Sequence, residues 1–314
     1  MGDLGVLLAA GVAAIIKACL TDSEVRDWGW RLPFLAGIVI SGIAYALQRL
    51  MQDPRVWERT QKYAKKREHP FKEVWKKHTK TILLVACVIS LWPTAFYTYF
   101  VWLPSYLEEK ARHKISHASN YLVIALAGLC VVLPFTGWLV DQGDNRPHSG
   151  QSGWFTVMAI GAFLMVFITP MSFWALDQAG DDERTNHLFF AIAMIPTVIG
   201  LCMYGAPLPL VVCGAFPVET RFTAVAIAYN ISQMIFGGFS PLIATAITDS
   251  SNQGVWVGIY VSCVGMIACG GIIGLRIKHG THDHIRDGSA EDSTIESNPV
   301  SAVQMKEGAN QVRA

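Results

Sequence analysis

Three hydroxyl-bearing residues, Thr94, Tyr97 and Thr98, recur at i, i+3 and i+4 within one long apolar run. On a helix that spacing lines a single face with hydrogen-bonding groups. Pro93 beside them removes a backbone N–H and can free a carbonyl for a solute or a water. A second apolar run carries Thr197, Gly200 and Tyr204 among Pro196, Pro207 and Pro209, and a third carries Asn230, Gln233, Gly237 and Ser240. Such groups can hold a small polar solute without reacting with it. The same residue types also serve as interhelical hydrogen bonds, and small residues let helices approach closely, as in Gly270-x-x-x-Gly274. Both uses stay open from the sequence. Tyr99, Trp102 and Tyr106 read instead as an aromatic belt at a membrane edge. Covalent catalysis has no visible machinery: there is no His-Glu-x-x-His, no Gly-x-Ser-x-Gly and no carboxylate pair within an apolar run.

The elements that must position these groups are set by composition. Of 314 residues, 52% are hydrophobic and 16% charged, and mean hydropathy is +0.35. Of the 49 Lys, Arg, Asp and Glu residues, only Lys17 and Arg49 lie inside the long apolar runs. A soluble fold keeps a wet face on every element, so segregated charge excludes an ordinary cytosolic enzyme. A net charge of +1 gives no reason to invoke nucleic acid. The seven cysteines sit in or beside apolar runs without paired short spacings, so they read as small hydrophobes. No metal and no cofactor is called for.

Crossing a hydrocarbon core of about 30 Å takes roughly 20 apolar residues in a helix. Eight runs qualify: Leu4–Leu20, Pro33–Met51, Thr81–Leu103, Asn120–Val140, Trp154–Leu176, Leu188–Cys213, Phe222–Ile247 and Val255–Leu275. The fold expected is an all-α integral membrane protein with eight transmembrane helices. The first run carries Asp3 where a signal peptide would be basic, and no small-residue cleavage pattern precedes Thr21, so it reads as a span. Loops on one side, with Arg49, hold 18 Lys and Arg against 6 on the other, which places the first side and both termini in the cytoplasm. Lys17, near the external end of its span, reads as snorkelling to the headgroups.

Residues 52–80 hold ten Lys and Arg with Trp57, Phe71 and Trp75 interleaved. The segment reads as a cytoplasmic stretch lying on anionic lipid. It divides the chain into two spans at 1–51, this basic loop, and a six-span block at 81–277. The polar tail, 278–314, has little apolar periodicity and reads as disordered.

Four motifs in order along the chain carry a resemblance. Trp28-Gly29-Trp30-Arg31-Leu32-Pro33-Phe34 resembles the W-G-W-R-[IL]-P-F that precedes the sixth span of the metabolite:proton symporters. That branch of the major facilitator superfamily includes proline/glycine-betaine, α-ketoglutarate, citrate and shikimate transporters. Leu103-Pro104-Ser105-Tyr106-Leu107 is similar to its motif at the outer end of the seventh span. Phe216-Pro217 followed by Arg221-Phe222 resembles the segment before the eleventh, and Tyr229-Asn230, Gly237-Gly238 and Pro241 continue it. The resemblance covers about residues 4–275. It implies the last two spans of the N-terminal half and the complete six-helix C-terminal half, with four opening spans absent. It further implies that the runs bearing Thr94, Tyr97, Thr98, Thr197 and Tyr204 line a central cavity, joined by Asn230 and Gln233.

Gly137, Asp141, Arg146 and Pro147 fit the superfamily's cytoplasmic G-x-x-x-D-R-x-G-R-R-P, while Gln142, Asp144 and Asn145 replace Arg, Gly and Arg. By resemblance this is a conformational latch of Gly137, Asp141 and Arg146, with Arg221 as a further member: a carboxylate pairs with basic groups in one access state only. Two missing arginines should weaken it. On composition alone the segment is an ordinary polar turn.

The function expected is secondary active transport, by alternating access, of a small polar osmolyte or organic acid. Proton coupling belongs to the intact protein, because no Asp, Glu or His lies well inside any span here. The alternative is a non-transporting membrane protein that scaffolds or regulates an intact relative. The partners expected are the solute, the bilayer of a plasma membrane and a second subunit supplying the missing spans, with no nucleic acid.

Overall fold

A computed structural model describes residues 2–51, 70–110, 118–144, 153–178 and 183–296. Among them every regular element is helical. The first two spans are α1 (Gly2–Cys19) and α3 (Leu32–Leu50), joined by the short α2 (Asp22–Asp27) and a 3-10 turn at Gly29–Arg31. The block that follows begins with α4 (Pro70–Phe96), which runs on through π-helical turns at Tyr97–Trp102 and Tyr106–Lys110. Then come α5 (Ala118–Asp144), α6 (Gly153–Asp177), α7 (Glu183–Gly205) and the short α8 (Leu208–Gly214). α9 (Val218–Ser232) passes through a π-helical turn at Gln233–Gly238 into α10 (Ser240–Ser251), and α11 (Val255–Glu296) closes the chain.

Seven of these helical stretches are long and apolar enough to cross a membrane, among them Val74–Glu108 and Thr220–Ser251. The eighth expected span is α1, whose 18 residues reach about 27 Å, close to the hydrocarbon thickness. The chain is a multi-pass, all-helical integral membrane protein. The Lys17 side chain, residues 52–69, Arg146 and the end of the tail from 297 lie outside the described residues. α11 continues to Glu296, through the first part of the tail expected to be unstructured, and no proline between Leu275 and Glu296 interrupts its ladder.

α6 is central to the block, packed between α7 and α11, while α4 lies against α9 and α11. A Cβ on Gly258 of α11 would sit 2.6 Å from the Thr169 carbonyl oxygen of α6, so only glycine permits that approach. Between α11 and α4 the close packing falls on Gly271 and Gly274. Gly270 faces open space, so the expected four-residue pattern is only half used. The two leading spans attach differently. α1 rests on α5, whereas no residue of α3 is buried. An apolar helix with every side chain exposed is stable only in lipid or against further helices.

α6 and α11 are also tied electrostatically. The Asp177 carboxylate, at the end of α6, accepts the Gly254 N–H at 3.1 Å and the Val255 N–H at 3.0 Å. Those are donors that the start of α11 leaves without intrahelical partners, and the helix dipole favours a negative charge there.

Candidate solute site

The polar residues of the block separate into a surface notch and a layer behind it. Both helices that form the notch change their hydrogen-bond register at the same level. α4 loses a ladder bond at Pro93 and widens into a π-helical turn at Tyr97, and the span Thr220–Ser251 widens at Gln233. The two turns meet. A Cβ on Gly237 would lie 3.1 Å from Gln233 Oε1, 3.1 Å from Tyr97 Cε2 and 3.3 Å from Pro93 Cβ. Glycine therefore leaves the small space that brings Tyr97 and Gln233 to a common wall.

Gln233 Nε2 donates to the Tyr229 hydroxyl at 3.0 Å, whereas Gln233 Oε1 is buried and has no hydrogen-bond partner. A buried acceptor left unmade is costly, by about 1–3 kcal/mol. Tyr97 and Tyr229 flank it, 36% and 45% exposed, and Asn230 is exposed with its Nδ2 on the Ala226 carbonyl at 2.8 Å. Two phenol rings and an exposed amide thus share one face, with an unpaired carbonyl oxygen buried beside them.

The remaining sequence candidates are buried within the bundle. Thr94 is buried, and its hydroxyl donates to the Ser90 carbonyl at 2.8 Å and meets the Phe236 carbonyl at 3.4 Å, pinning α4 to the second π-helical turn. Thr98 is also buried, and its Oγ1 has no partner. Thr197 donates to the Ala193 carbonyl at 2.7 Å. Tyr204 is buried with its hydroxyl on the Val88 carbonyl of α4. Thr94, Tyr97 and Thr98 therefore do not share one wall: the threonines point into the bundle and Tyr97 points out. The register change at Tyr97 separates them.

Three aromatics expected in a membrane-edge belt are interior instead. The hydroxyl of Tyr99, buried between helices, meets Ser172 Oγ, and Trp102 Nε1 donates to Thr245 Oγ1 at 2.9 Å with Tyr106 stacked on its ring. Tyr99 begins a buried polar row that continues through Ser172 and Thr169 to Ser262, the last two hydroxyls 2.9 Å apart. The polar tips of Tyr99 and Trp102 are satisfied by other helices, so no water interface is needed to hold them. The sequence offered no signal for this row beyond scattered Ser and Thr.

Gly137 and an exposed Asp141 lie in the last turns of α5. Arg221, in the first turn of α9, donates from Nε to the Phe216 carbonyl at 3.2 Å. Arg146 is not among the described residues, and among those described no hydrogen bond or ion pair joins Arg221 to Asp141. Thr21 and Glu24 form a capping box for α2, and the two hydrogen bonds from Thr21 hold the Glu24 carboxyl below its usual range. Among the described residues no group of three His, Cys, Asp or Glu side chains is placed to hold a metal ion.

Residues 4–180 match the family model of the Major Facilitator Superfamily. The chain is 24% identical over 306 residues to the proline/betaine transporter of Escherichia coli (strain K12), an alignment covering 93% of this chain and 57% of that protein. It is 24% identical over 277 residues to the citrate-proton symporter of Klebsiella pneumoniae, covering 85% and 57%. With the alpha-ketoglutarate permease of Escherichia coli (strain K12) it shares 23% over 264 residues, covering 84% and 57%. The chain spans a little over half the length of these curated relatives. No solved structure matches it.

Proposed function

We propose, because this chain belongs to the Major Facilitator Superfamily, that it forms a secondary carrier for a small polar organic solute, or the larger part of one. The solute class is an osmolyte or organic acid, since relatives are named for proline and betaine, for citrate and for alpha-ketoglutarate. The observation that carries the reading is Gln233 Oε1, a buried acceptor without a partner in a notch between two broken helices. Solute contact is assigned to Tyr97, Asn230 and Gln233. Thr94, Thr98, Thr197 and Tyr204 form the layer that positions them. Tyr97, Tyr229 and Asn230 are exposed, which leaves this face free to meet a facing wall supplied by a second subunit.

Alternating access then consists of the two walls rocking about the solute. Gly137, Asp141, Arg146 and Arg221 act as a weakened latch on the cytoplasmic side, in a plasma membrane with both termini inside. A proton must be carried by a group that titrates at membrane depth, and the spans here hold no carboxylate or imidazole away from their ends. The coupling group of the intact carrier therefore lies outside this chain's spans. Solute-driven alkalinisation by vesicles containing this polypeptide alone would refute that assignment.

The test of the main reading is uptake of labelled betaine, proline and citrate by vesicles holding the full chain. Uptake of at least one, lost in Gln233→Leu, is the expected result. No uptake of any of the three overturns the reading that this chain transports unaided. It favours the second reading, a scaffold or regulator of an intact relative, which the wholly unburied α3 also supports.

A further inference from the structure

The helix that opens the six-span block starts before the membrane, inside the basic stretch. α4 is helical from Pro70 and kinked at His78, whose backbone (φ −121°, ψ 15°) leaves the helical region. Upstream of the kink, Phe71 and Trp75 stand four residues apart with their rings stacked, centroids 6.4 Å apart and planes 6° apart. Both are exposed, at 59% and 38%, while Val74 on the same face is buried against the block. Lys72, Lys76, Lys77 and Lys80 are all exposed around them. The His78 ring meets Phe216 edge-on at 6.2 Å, so the kink is seated on the loop between α8 and α9.

We propose that residues 71–80 form a binding site for anionic phospholipid headgroups at the cytoplasmic leaflet. Val74 and His78 fix the turn to the protein, and the stacked pair is left outward at the start of the span Val74–Glu108. Aromatic rings at that level fill the boundary between headgroups and acyl chains. The four lysines against the single acid Glu73 give residues 71–80 a charge of +3, which selects a negative headgroup over a zwitterionic one. The stem of each lysine can lie along apolar surface while its ammonium reaches a phosphate. The site rests on the membrane reading of this chain and on its cytoplasmic side, not on transport.

The experiment places the photoreactive residue p-benzoylphenylalanine at Phe71 in the full chain. The protein is reconstituted in phosphatidylcholine bilayers containing phosphatidylglycerol as the minority lipid. After illumination, the lipid mass attached to the peptide bearing position 71 is read. Phosphatidylglycerol adducts should exceed that lipid's share of the bilayer by at least about fivefold. The enrichment should vanish in Lys72→Gln/Lys76→Gln, and raising salt from about 0.05 M to about 0.5 M in the otherwise unaltered protein should collapse it. Adducts in proportion to abundance, adducts to protein alone, or an enrichment indifferent to both salt and the lysines would overturn the proposal. Solute uptake is not read, so failure here leaves the carrier proposal standing, and the reverse holds too.

Discussion

At the residue scale the proposed site rests on one atom, Gln233 Oε1, and on the glycine that makes room for it. Replacing Gln233 with Leu removes an unpaired buried acceptor together with the hydrogen bond to Tyr229, so stability should change by no more than about 1 kcal/mol. Solute uptake should nonetheless fall at least about tenfold, the effect of about 1.4 kcal/mol in binding. A thermal unfolding scan beside an uptake assay checks both halves of that expectation. Asp177 makes the opposite prediction. Asp177→Ala strips the cap from α11 and should cost about 1 kcal/mol of stability. A melting temperature unchanged by Asp177→Ala would show that the cap contributes nothing. Glu24 supplies a pH prediction. Its folded pKa is lowered, so the capping-box contribution is present above the ordinary carboxylate range and is lost as pH falls through the lowered value. The protection factor of the Thr21 amide, its exchange rate referred to the intrinsic rate at each pH, should exceed one at neutral pH and fall to one in acid, because the carboxylate accepts that N–H at 2.9 Å.

The scale of the element shows what the sequence could and could not carry. Hydropathy places the spans because the bilayer demands long apolar helices, and seven expected runs reappear within a few residues of most boundaries. Val74–Glu108 is the exception, a helix that outruns the membrane at both ends because its polar ends stay helical. The π-helical turns at Tyr97 and Gln233 were invisible, since they are a matter of hydrogen-bond register and not of composition. That is why Thr94, Tyr97 and Thr98 looked like one stripe and are two faces. Tyr99 and Trp102 misled for a related reason: their partners Ser172 and Thr245 lie on other helices, and spacing along the chain says nothing of them. Gly258 offers the element-scale test. A Val there must displace the α6 backbone at Thr169 and Pro170, so Gly258→Val should lower stability by about 1–3 kcal/mol or block assembly. Gly270→Val, which enters open space, is the matched comparison and should be near neutral.

For the molecule as a whole, the two leading spans and the six-span block are unequal in packing. The block has a buried core from Val74 through Leu275, whereas α3 buries nothing. On the proposed reading, the face bearing Tyr97, Asn230 and Gln233 is one wall of a cavity. What the molecule recognises should therefore be measurable even where net transport is not. The direct measurement is equilibrium binding of labelled betaine, proline and citrate to the purified full chain in lipid nanodiscs, compared with Gln233→Leu and with Asp177→Asn. The account predicts saturable binding of at least one solute, weakened about tenfold or more by Gln233→Leu and unaffected by Asp177→Asn. Saturable binding with equal affinity in the Gln233→Leu protein, or none of the three solutes bound, would contradict it.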